Sequence, residues 1–137
     1  MTEPTRVLLV DDFASWRNAT RSILQDYPQL QVVGEAVDGA GAIELARELK
    51  PELILLDISC SQPNGIETAK QIRQVAPGAK IVFVSMNTNP EIVRAAWSAG
   101  ASGYVLKINA ATELWSGIEA VLQGKQFASS GLHLNKD

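Results

Sequence analysis

The sequence predicts an α/β fold in which five parallel strands alternate with five helices. Four apolar runs of three or four residues each end at a polar or charged residue, which is typical of strands buried on both faces of a parallel sheet. Segments with helical spacing of apolar residues separate these runs. Short connections between alternating strands and helices imply right-handed crossovers and a sheet that helices cover on both sides.

The predicted strands differ in strength along the chain. They cover Val7–Val10, Gln31–Ala36, Leu53–Leu56, Ile81–Val84 and Ser102–Leu106. Gly34 interrupts the second strand, which therefore suits an edge of the sheet. A doubly wound sheet in the flavodoxin-like order 2-1-3-4-5 places the second strand at that edge.

A helix is predicted after each strand, the first over Ser15–Asp26 and the last over Thr112–Gln123. Asp38 is predicted to cap the second helix, and Pro90 lies near the first turn of the fourth. Prolines and glycines follow the helical segments at Pro28, Pro51, Pro77-Gly78, Gly100 and Gly124. These residues end helices, so the helix boundaries are predicted by them.

Composition restricts the class of protein. The 137 residues, 46% hydrophobic and 20% charged, suit one domain with a single core. A net charge of −3 argues against a large basic surface for nucleic acid. Cys60 is the only cysteine, which indicates a reducing compartment. The leader Met1–Arg6 has no apolar signal core and no run reaches membrane-spanning length, so we expect a cytoplasmic protein without membrane contact.

The domain is predicted to cover residues 1–124. Residues 125–137 are polar and rich in small side chains from Phe127 onward, and we interpret them as a tail or the start of a linker. His133 lies in this tail and receives no role.

Polar side chains follow four of the predicted strands. Asp11 and Asp12 follow the first, Asp57 the third, Ser85 the fourth and Lys107 the fifth. The ends of parallel strands meet at one edge of a sheet, so these side chains are expected to converge. Each alone has an ordinary explanation: a turn-capping aspartate, a solvated acidic loop, or a surface lysine. The complete set in this order is much more specific.

The set suits phosphoryl transfer to a carboxylate. Crowded carboxylates repel each other and raise at least one pKa, and a hard divalent cation such as Mg²⁺ relieves the repulsion. The cluster contains no histidine or cysteine, which disfavours zinc and copper. An aspartate can act as a covalent nucleophile toward phosphorus, and an ammonium group neutralises the phosphoryl oxygens.

With these residues the chain resembles a response regulator receiver domain of two-component signalling, over Arg6–Gly124. It is most similar to the NarL/FixJ-like (LuxR-type) group, because the stretches Ala99–Lys107, Asn64–Glu67 and Val84–Met86 are typical of that group. The resemblance implies the CheY-like form of the predicted fold. It also implies a self-phosphorylating signalling switch and not a conventional enzyme.

The resemblance assigns the phosphorylation site. Asp57 would accept a phosphoryl group from a sensor histidine kinase. Mg²⁺ would be held directly by Asp12, Asp57 and the backbone carbonyl of Ser59, and Asp11 would help through water.

The resemblance also assigns a switch. Lys107 would bind the phosphoryl group, Ser85 would close on it, and Tyr104 would turn inward as the switch aromatic. The face containing the fourth helix, fifth strand and fifth helix would then change. Trp115 is predicted on the exposed side of the last helix and is a candidate contact on that face.

The same resemblance suggests partners. These are a sensor histidine kinase and, as an expectation, a second copy in a homodimer. Members of the group often carry a C-terminal helix-turn-helix domain, so the parent protein is expected to be a transcriptional regulator. DNA contact would occur only through such a domain, which the 137 residues do not include.

One departure keeps alternatives open. The family usually has proline four residues after the acceptor and an apolar residue two further on, whereas here Ser61 and Pro63 occupy these positions. The loop is expected to take an unusual path, which is the only feature favouring an interaction module that works without phosphorylation. A further alternative is an aspartate-based phosphohydrolase. Such enzymes have Asp-x-Asp after the first strand, whereas this chain has Asp11, Asp12 and Phe13 there. Nucleotide binding is disfavoured because no glycine-rich phosphate-binding loop follows the first strand.

Overall fold

The computed structural model describes residues 3–130 and residue 132. In this part of the chain one sheet contains six strands in the order β2-β1-β3-β4-β5-β6, and every pairing is parallel. The strands are β1 Thr5–Val10, β2 Leu30–Ala36, β3 Leu53–Leu56, β4 Lys80–Ser85, β5 Gly103–Leu106 and β6 Phe127–Ala128. The predicted order of the first five strands is confirmed, and the predicted number of strands is wrong.

Five helices lie between these strands, as predicted. They are α1 Ala14–Gln25, α2 Gly39–Leu49, α3 Gly65–Val75, α4 Pro90–Ser98 and α5 Ala110–Leu122, and a 3₁₀ turn over Lys107–Asn109 precedes α5. The predicted cap is confirmed, because the Asp38 side chain accepts a hydrogen bond from the Gly41 N–H. No helix among the described residues has the length and apolar character needed to span a bilayer.

The sheet divides the core into two layers. Ile54 and Leu56 of β3 belong to the layer beneath α2, α3 and α4, whereas Leu53 and Leu55 belong to the layer beneath α1 and α5. All four side chains are nearly inaccessible to solvent. Burial of each such side chain contributes roughly 1.5–3 kcal/mol. This central strand is therefore firmly placed, and with it the residue that follows, Asp57.

The sixth strand lies in the segment that the sequence indicated as a polar tail. The Ser129 N–H donates to the Tyr104 carbonyl at 3.0 Å, and the Ser129 hydroxyl accepts from the Leu106 N–H at 2.8 Å. The Phe127 ring packs where Gly117 of α5 has no side chain, since a Cβ there would lie 2.8 Å from a ring carbon. These contacts extend the sheet by one short strand.

The domain boundary at residue 124 stays a prediction. Of the predicted tail, residue 131 and residues 133–137, which include His133, lie outside the described residues. The same holds for Met1 and Thr2 of the leader.

Trp115 does not project freely from α5. It is half-buried and stacks on Tyr27, with ring centroids 4.2 Å apart and an interplanar angle of 8°. An aromatic stack of this kind adds about 1 kcal/mol to the apolar contact. The predicted exposed position is therefore wrong, because Trp115 joins α5 to the chain that follows α1, and its role as a contact residue stays a prediction.

Candidate functional site

Three carboxylates meet at the carboxyl edge of the sheet. Val10 and Leu56 are register partners in β1 and β3, so Asp11 and Asp57 emerge side by side. One carboxylate oxygen from each of Asp11, Asp12 and Asp57 lies within 4.8 Å of the other two. Asp11 and Asp57 are 4% and 2% exposed, while Asp12 is exposed. The structure thus brings together the carboxylates that the sequence placed at this edge.

Lys107 supplies a positive charge inside this cluster. Its Nζ lies 2.8 Å from Oδ2 of Asp11 and 3.6 Å from Oδ2 of Asp57, and its side chain is 9% exposed. The same Nζ lies over the Trp16 ring, 5.0 Å from the centroid. One ammonium group thus contacts two of the three carboxylates, so it offsets only part of the negative charge of the cluster.

Asp57 is held by the loop that follows it. The Ser59 N–H donates to Oδ1 of Asp57 at 3.1 Å, and the Ser59 hydroxyl lies 3.0 Å from each carboxylate oxygen. Ser59 was expected to contribute its backbone carbonyl, and the structure adds this side-chain contact. Hydrogen bonds from Ser59 fix the orientation of the carboxylate and leave its outer lone pairs available.

Burial controls the electrostatics of Asp11. Desolvation raises the pKa of Asp11 above 3.8, and the charge of Asp57 adds to the increase. The hydrogen bonds from Lys107 and the Phe13 N–H oppose it without cancelling it. A divalent cation bound beside Asp11 would relieve this cost.

Ser85 and Tyr104 are connected through Asn87. The Asn87 N–H donates to the Ser85 hydroxyl at 3.0 Å, and the Tyr104 hydroxyl donates to the Asn87 carbonyl at 2.7 Å. Tyr104 is fully buried, and this burial raises its pKa, with a smaller contribution from the charge of Asp57. A movement of Ser85 would therefore shift Asn87 and change its hydrogen bond with Tyr104.

The unusual loop after Asp57 is tied to a neighbouring helix. The first two N–H groups of α2 donate to the carbonyls of Ser61 and Gln62, at 2.8 and 2.9 Å. The Thr68 hydroxyl donates to the Pro63 carbonyl at 3.1 Å. Cys60 is buried beneath this loop, and burial raises the pKa of its thiol to about 11. The substituted loop is thus firmly attached, and its thiol stays protonated at neutral pH.

Comparison with known families identifies the arrangement. The family model of the response regulator receiver domain matches residues 7–119 of the chain. The chain belongs to this family. Its first five strands and five helices have the CheY-like receiver fold.

Curated relatives place the receiver domain more narrowly. The nitrate/nitrite response regulator protein NarL of Escherichia coli (strain K12) is 35% identical over 130 residues, which is 95% of this chain and 60% of the relative. The transcriptional regulatory protein LiaR of Bacillus subtilis (strain 168) is 36% identical over 120 residues, 88% of this chain and 57% of the relative. The resemblance to the NarL/FixJ-like group is thus confirmed. The chain spans about three-fifths of the length of these relatives.

Solved structures of response regulators have the same fold as this chain. A two-component response regulator of the LuxR family from Aurantimonas sp. SI85-9A1 is 36% identical with a TM-score of 0.87, covering 94% of this chain and 91% of that one. The isolated REC domain of RcsB from Salmonella enterica serovar Typhimurium, solved with the phosphomimetic BeF3−, is 28% identical with a TM-score of 0.86, covering 93% and 95%. Membership in this family disfavours the interpretation as a phosphorylation-independent module.

Arg17 is a residue of the receiver domain that sequence reasoning missed. Its Nη1 donates to the Asp11 carbonyl at 2.6 Å, and its Nε donates to Glu35 at 3.0 Å. Burial acts to raise the pKa of Glu35, but Arg21 and Arg17 outweigh it and lower the pKa overall. Arg17 therefore anchors the backbone of Asp11. A basic residue one turn after the acidic pair was the only available signal.

Proposed function

We propose that Asp57 accepts a phosphoryl group from the phosphohistidine of a sensor histidine kinase. An Asp57 carboxylate oxygen attacks phosphorus as the bond from phosphorus to the donor nitrogen breaks. The electron pair of that bond leaves with the imidazole, and Asp57 becomes an acyl phosphate. The observation that carries this proposal is the position of Asp57, which is buried and oriented by Ser59 with the Lys107 ammonium 3.6 Å away.

The donor set fits Mg²⁺. Asp11, Asp12, Asp57 and the backbone carbonyl of Ser59 are oxygen ligands, and Oδ2 of Asp11 is buried with no hydrogen-bond partner beyond its ion pair with Lys107. When bound, Mg²⁺ would neutralise charge on the phosphoryl oxygens. The ammonium of Lys107 would bind another of these oxygens.

Ser85 and Tyr104 would report the phosphorylation. The Ser85 hydroxyl would leave the Asn87 N–H and donate to the phosphoryl group. Tyr104 is fully buried and already lies inward, so its part would be a change in its hydrogen bond to the Asn87 carbonyl and not the expected inward turn. Because Tyr104 lies in β5, the change would reach the face formed by α4, β5 and α5. The hydrogen bonds that join these residues through Asn87 support this route.

The parent protein is proposed to regulate transcription, as the names of its relatives suggest. One structural neighbour, 28% identical, is described as two RcsB dimers bound to two parallel DNAs. By analogy we propose that phosphorylation promotes a homodimer, with DNA contacted by a separate domain. The buried free thiol of Cys60 suits a cytoplasmic location.

The test is the intact mass of the protein after incubation with Mg²⁺ and a small acyl phosphate. We expect a gain of one phosphoryl group that Mg²⁺ chelation prevents and that maps to Asp57. Asp57→Asn is the matched control and should stay unmodified. A folded wild-type protein that gains no phosphoryl group, or gains it elsewhere, would refute the proposal.

Apolar side chains around the site support a protein donor. Phe13, Val37, Met86 and Ile108 are 62%, 54%, 65% and 74% exposed. They follow β1, β2, β4 and β5, so all four lie at the edge that holds the carboxylates. We infer that these four exposed side chains, gathered at one edge of the sheet, belong to a contact surface for the donor protein.

Replacing Ile108 should separate protein donors from small ones. We expect Ile108→Ser to slow phosphoryl transfer from a histidine kinase about tenfold, because an apolar contact with the donor protein is lost. The rate with a small acyl phosphate should be unchanged. Ile108→Val, which keeps an apolar surface, is the control. Equal slowing with both donors would show that Ile108 acts on the site itself.

A further inference from the structure

The ring of Trp16 faces the ammonium group at the centre of the site. Nζ of Lys107 lies over this ring, 5.0 Å from its centroid, within the distance of about 6 Å at which a cation is attracted to an aromatic face. Trp16 is half-buried on α1 and packs against the core layer beneath β1 and β3. It also lines a narrow cavity with Asp11 and Asp57. The Trp16 ring therefore packs against the core, and the ammonium of Lys107 lies over its face.

Lys107 has two competing tasks in the proposed reaction. Its shortest contact is with Oδ2 of Asp11, at 2.8 Å, and it lies farther from Asp57, at 3.6 Å. Asp11 is also proposed to help hold Mg²⁺ through water. A divalent cation beside Asp11 would compete with the ammonium for this carboxylate, because its ligand water would donate to the carboxylate and two cations that lie close together repel each other.

The Trp16 ring can hold the ammonium without entering this competition. The ring is neutral. A divalent cation that binds at the carboxylates therefore does not displace the ammonium from the ring. The ring accepts no conventional hydrogen bond, so all three N–H groups of the ammonium stay available for anionic oxygens. The low exposure of Lys107, 9%, strengthens the attraction because little water screens it.

We propose that Trp16 is a positioning residue that keeps the Lys107 ammonium beside Asp57 when a divalent cation binds next to Asp11. This role rests on the proposed phosphorylation of Asp57. Trp16 touches neither the phosphoryl group nor the metal, and it acts only through Lys107.

A purely structural role makes a different prediction. If Trp16 only fills the core, then replacement residues should rank by the volume and stability that they restore. If the aromatic face holds the ammonium, Trp16→Phe should retain part of the effect, whereas Trp16→Leu, which is apolar without a π face, should lose it. The comparison between Phe and Leu at matched stability therefore separates the two roles.

The kinetic test uses a small acyl phosphate at saturating Mg²⁺, with Mg²⁺ affinity measured separately. For Trp16→Leu we expect a maximal rate about fivefold lower, with Mg²⁺ affinity changed less than about twofold, because the ring contacts the ammonium before and after metal binding. Trp16→Phe should lie between Leu and Trp. Equal rates for the Phe and Leu variants, or a loss that appears only in Mg²⁺ affinity, would overturn the proposal.

Proton NMR of the folded chain provides a readout independent of phosphorylation. The ε-methylene protons of Lys107 should be shifted upfield by the Trp16 ring, should lose the shift in Trp16→Leu, and should keep it when Mg²⁺ is added to the wild type. Loss of the shift on Mg²⁺ addition would show that Lys107 leaves the ring and would overturn the proposal. If the wild type takes up no phosphoryl group, the proposed function fails, while this spectrum still decides whether the ring holds Lys107.

Discussion

Asp57→Asn is expected to abolish phosphorylation and to stabilise the fold at neutral pH. The amide nitrogen and oxygen of asparagine cannot replace the carboxylate as a nucleophile toward phosphorus. Asparagine has nearly the shape of aspartate, and its oxygen can still accept the Ser59 N–H bond that Oδ1 accepts at 3.1 Å. The loss of function should therefore occur without a loss of structure.

The stabilisation follows from the charges of the site. Asp57 is 2% exposed, and its charge is one of the causes that raise the pKa of Asp11. Lys107 contacts Asp11 more closely than Asp57, so removing Asp57 relieves repulsion while preserving the stronger ion pair. We expect the free energy of unfolding to rise by about 1 kcal/mol at pH 7.

The pH dependence of this gain has a definite sign. The pKa of Asp11 is raised in the fold above its ordinary value of 3.8. The native state therefore loses stability as pH rises through the window between 3.8 and the raised pKa. Asp57→Asn lowers the Asp11 pKa and reduces this loss. The gain should therefore be present at neutral pH and should shrink as pH falls below the raised pKa of Asp11, where Asp11 is protonated in the fold.

Urea unfolding at neutral and acidic pH measures both effects. Asp26→Asn is the control, since it removes an exposed carboxylate at the end of α1, and it should change stability by no more than about 0.5 kcal/mol. Adding Mg²⁺ should stabilise the wild type more than Asp57→Asn, because the variant lacks one ligand. Destabilisation of Asp57→Asn at neutral pH, or an equal gain at acidic pH, would contradict the electrostatic argument.

The central sheet and the carboxylate cluster could be predicted because local signals coincide there. The runs that became β1 and β3 are continuous and apolar, so their ends were readable from the sequence, and the parallel arrangement brought Asp11 and Asp57 to one edge. Lys107 was found by the same reasoning. The sequence did not predict that Lys107 would lie closer to Asp11 than to Asp57, because a local sequence pattern contains no distances between side chains.

The features that escaped prediction are contacts between distant segments. Strand β6 has two residues in a polar segment, and it exists because Phe127 packs against Gly117, ten positions earlier in the chain. Trp115 was misplaced because its partner, Tyr27, lies near the other end of the chain. The attachment of the loop at Ser61 to the start of α2 is also a tertiary contact. Helical spacing and strand alternation carry no information about such pairs.

Gly65→Ala is expected to destabilise the fold strongly and to weaken metal binding at the same time. A Cβ on Gly65 would lie 2.5 Å from Cα and 2.6 Å from the carbonyl oxygen of Ile58. These are backbone atoms, which cannot rotate away as a side chain can. Either α3 or the segment around Ile58 must move, at a cost of about 3 kcal/mol.

The position of Ile58 makes this a prediction about function as well. Ile58 lies between Asp57 and Ser59, and its carbonyl accepts the Gly65 N–H at 3.1 Å. A shift of this segment displaces the proposed acceptor and the proposed carbonyl ligand together. We therefore expect Mg²⁺ affinity to fall at least tenfold, on the order of the loss seen when groups that orient metal ligands are removed.

Gly78→Ala is the matched control for Gly65→Ala. A Cβ at Gly78 would meet no atom within 4 Å, so the substitution should be neutral or slightly stabilising through the unfolded chain. Urea unfolding gives the stability of both variants, and Mg²⁺ titration is done where Gly65→Ala is still folded. If Gly65→Ala lost stability but bound Mg²⁺ as the wild type does, α3 would have absorbed the clash. Metal binding would then not depend on the contact between Gly65 and Ile58, and the start of α3 would support the fold without setting the geometry of the site.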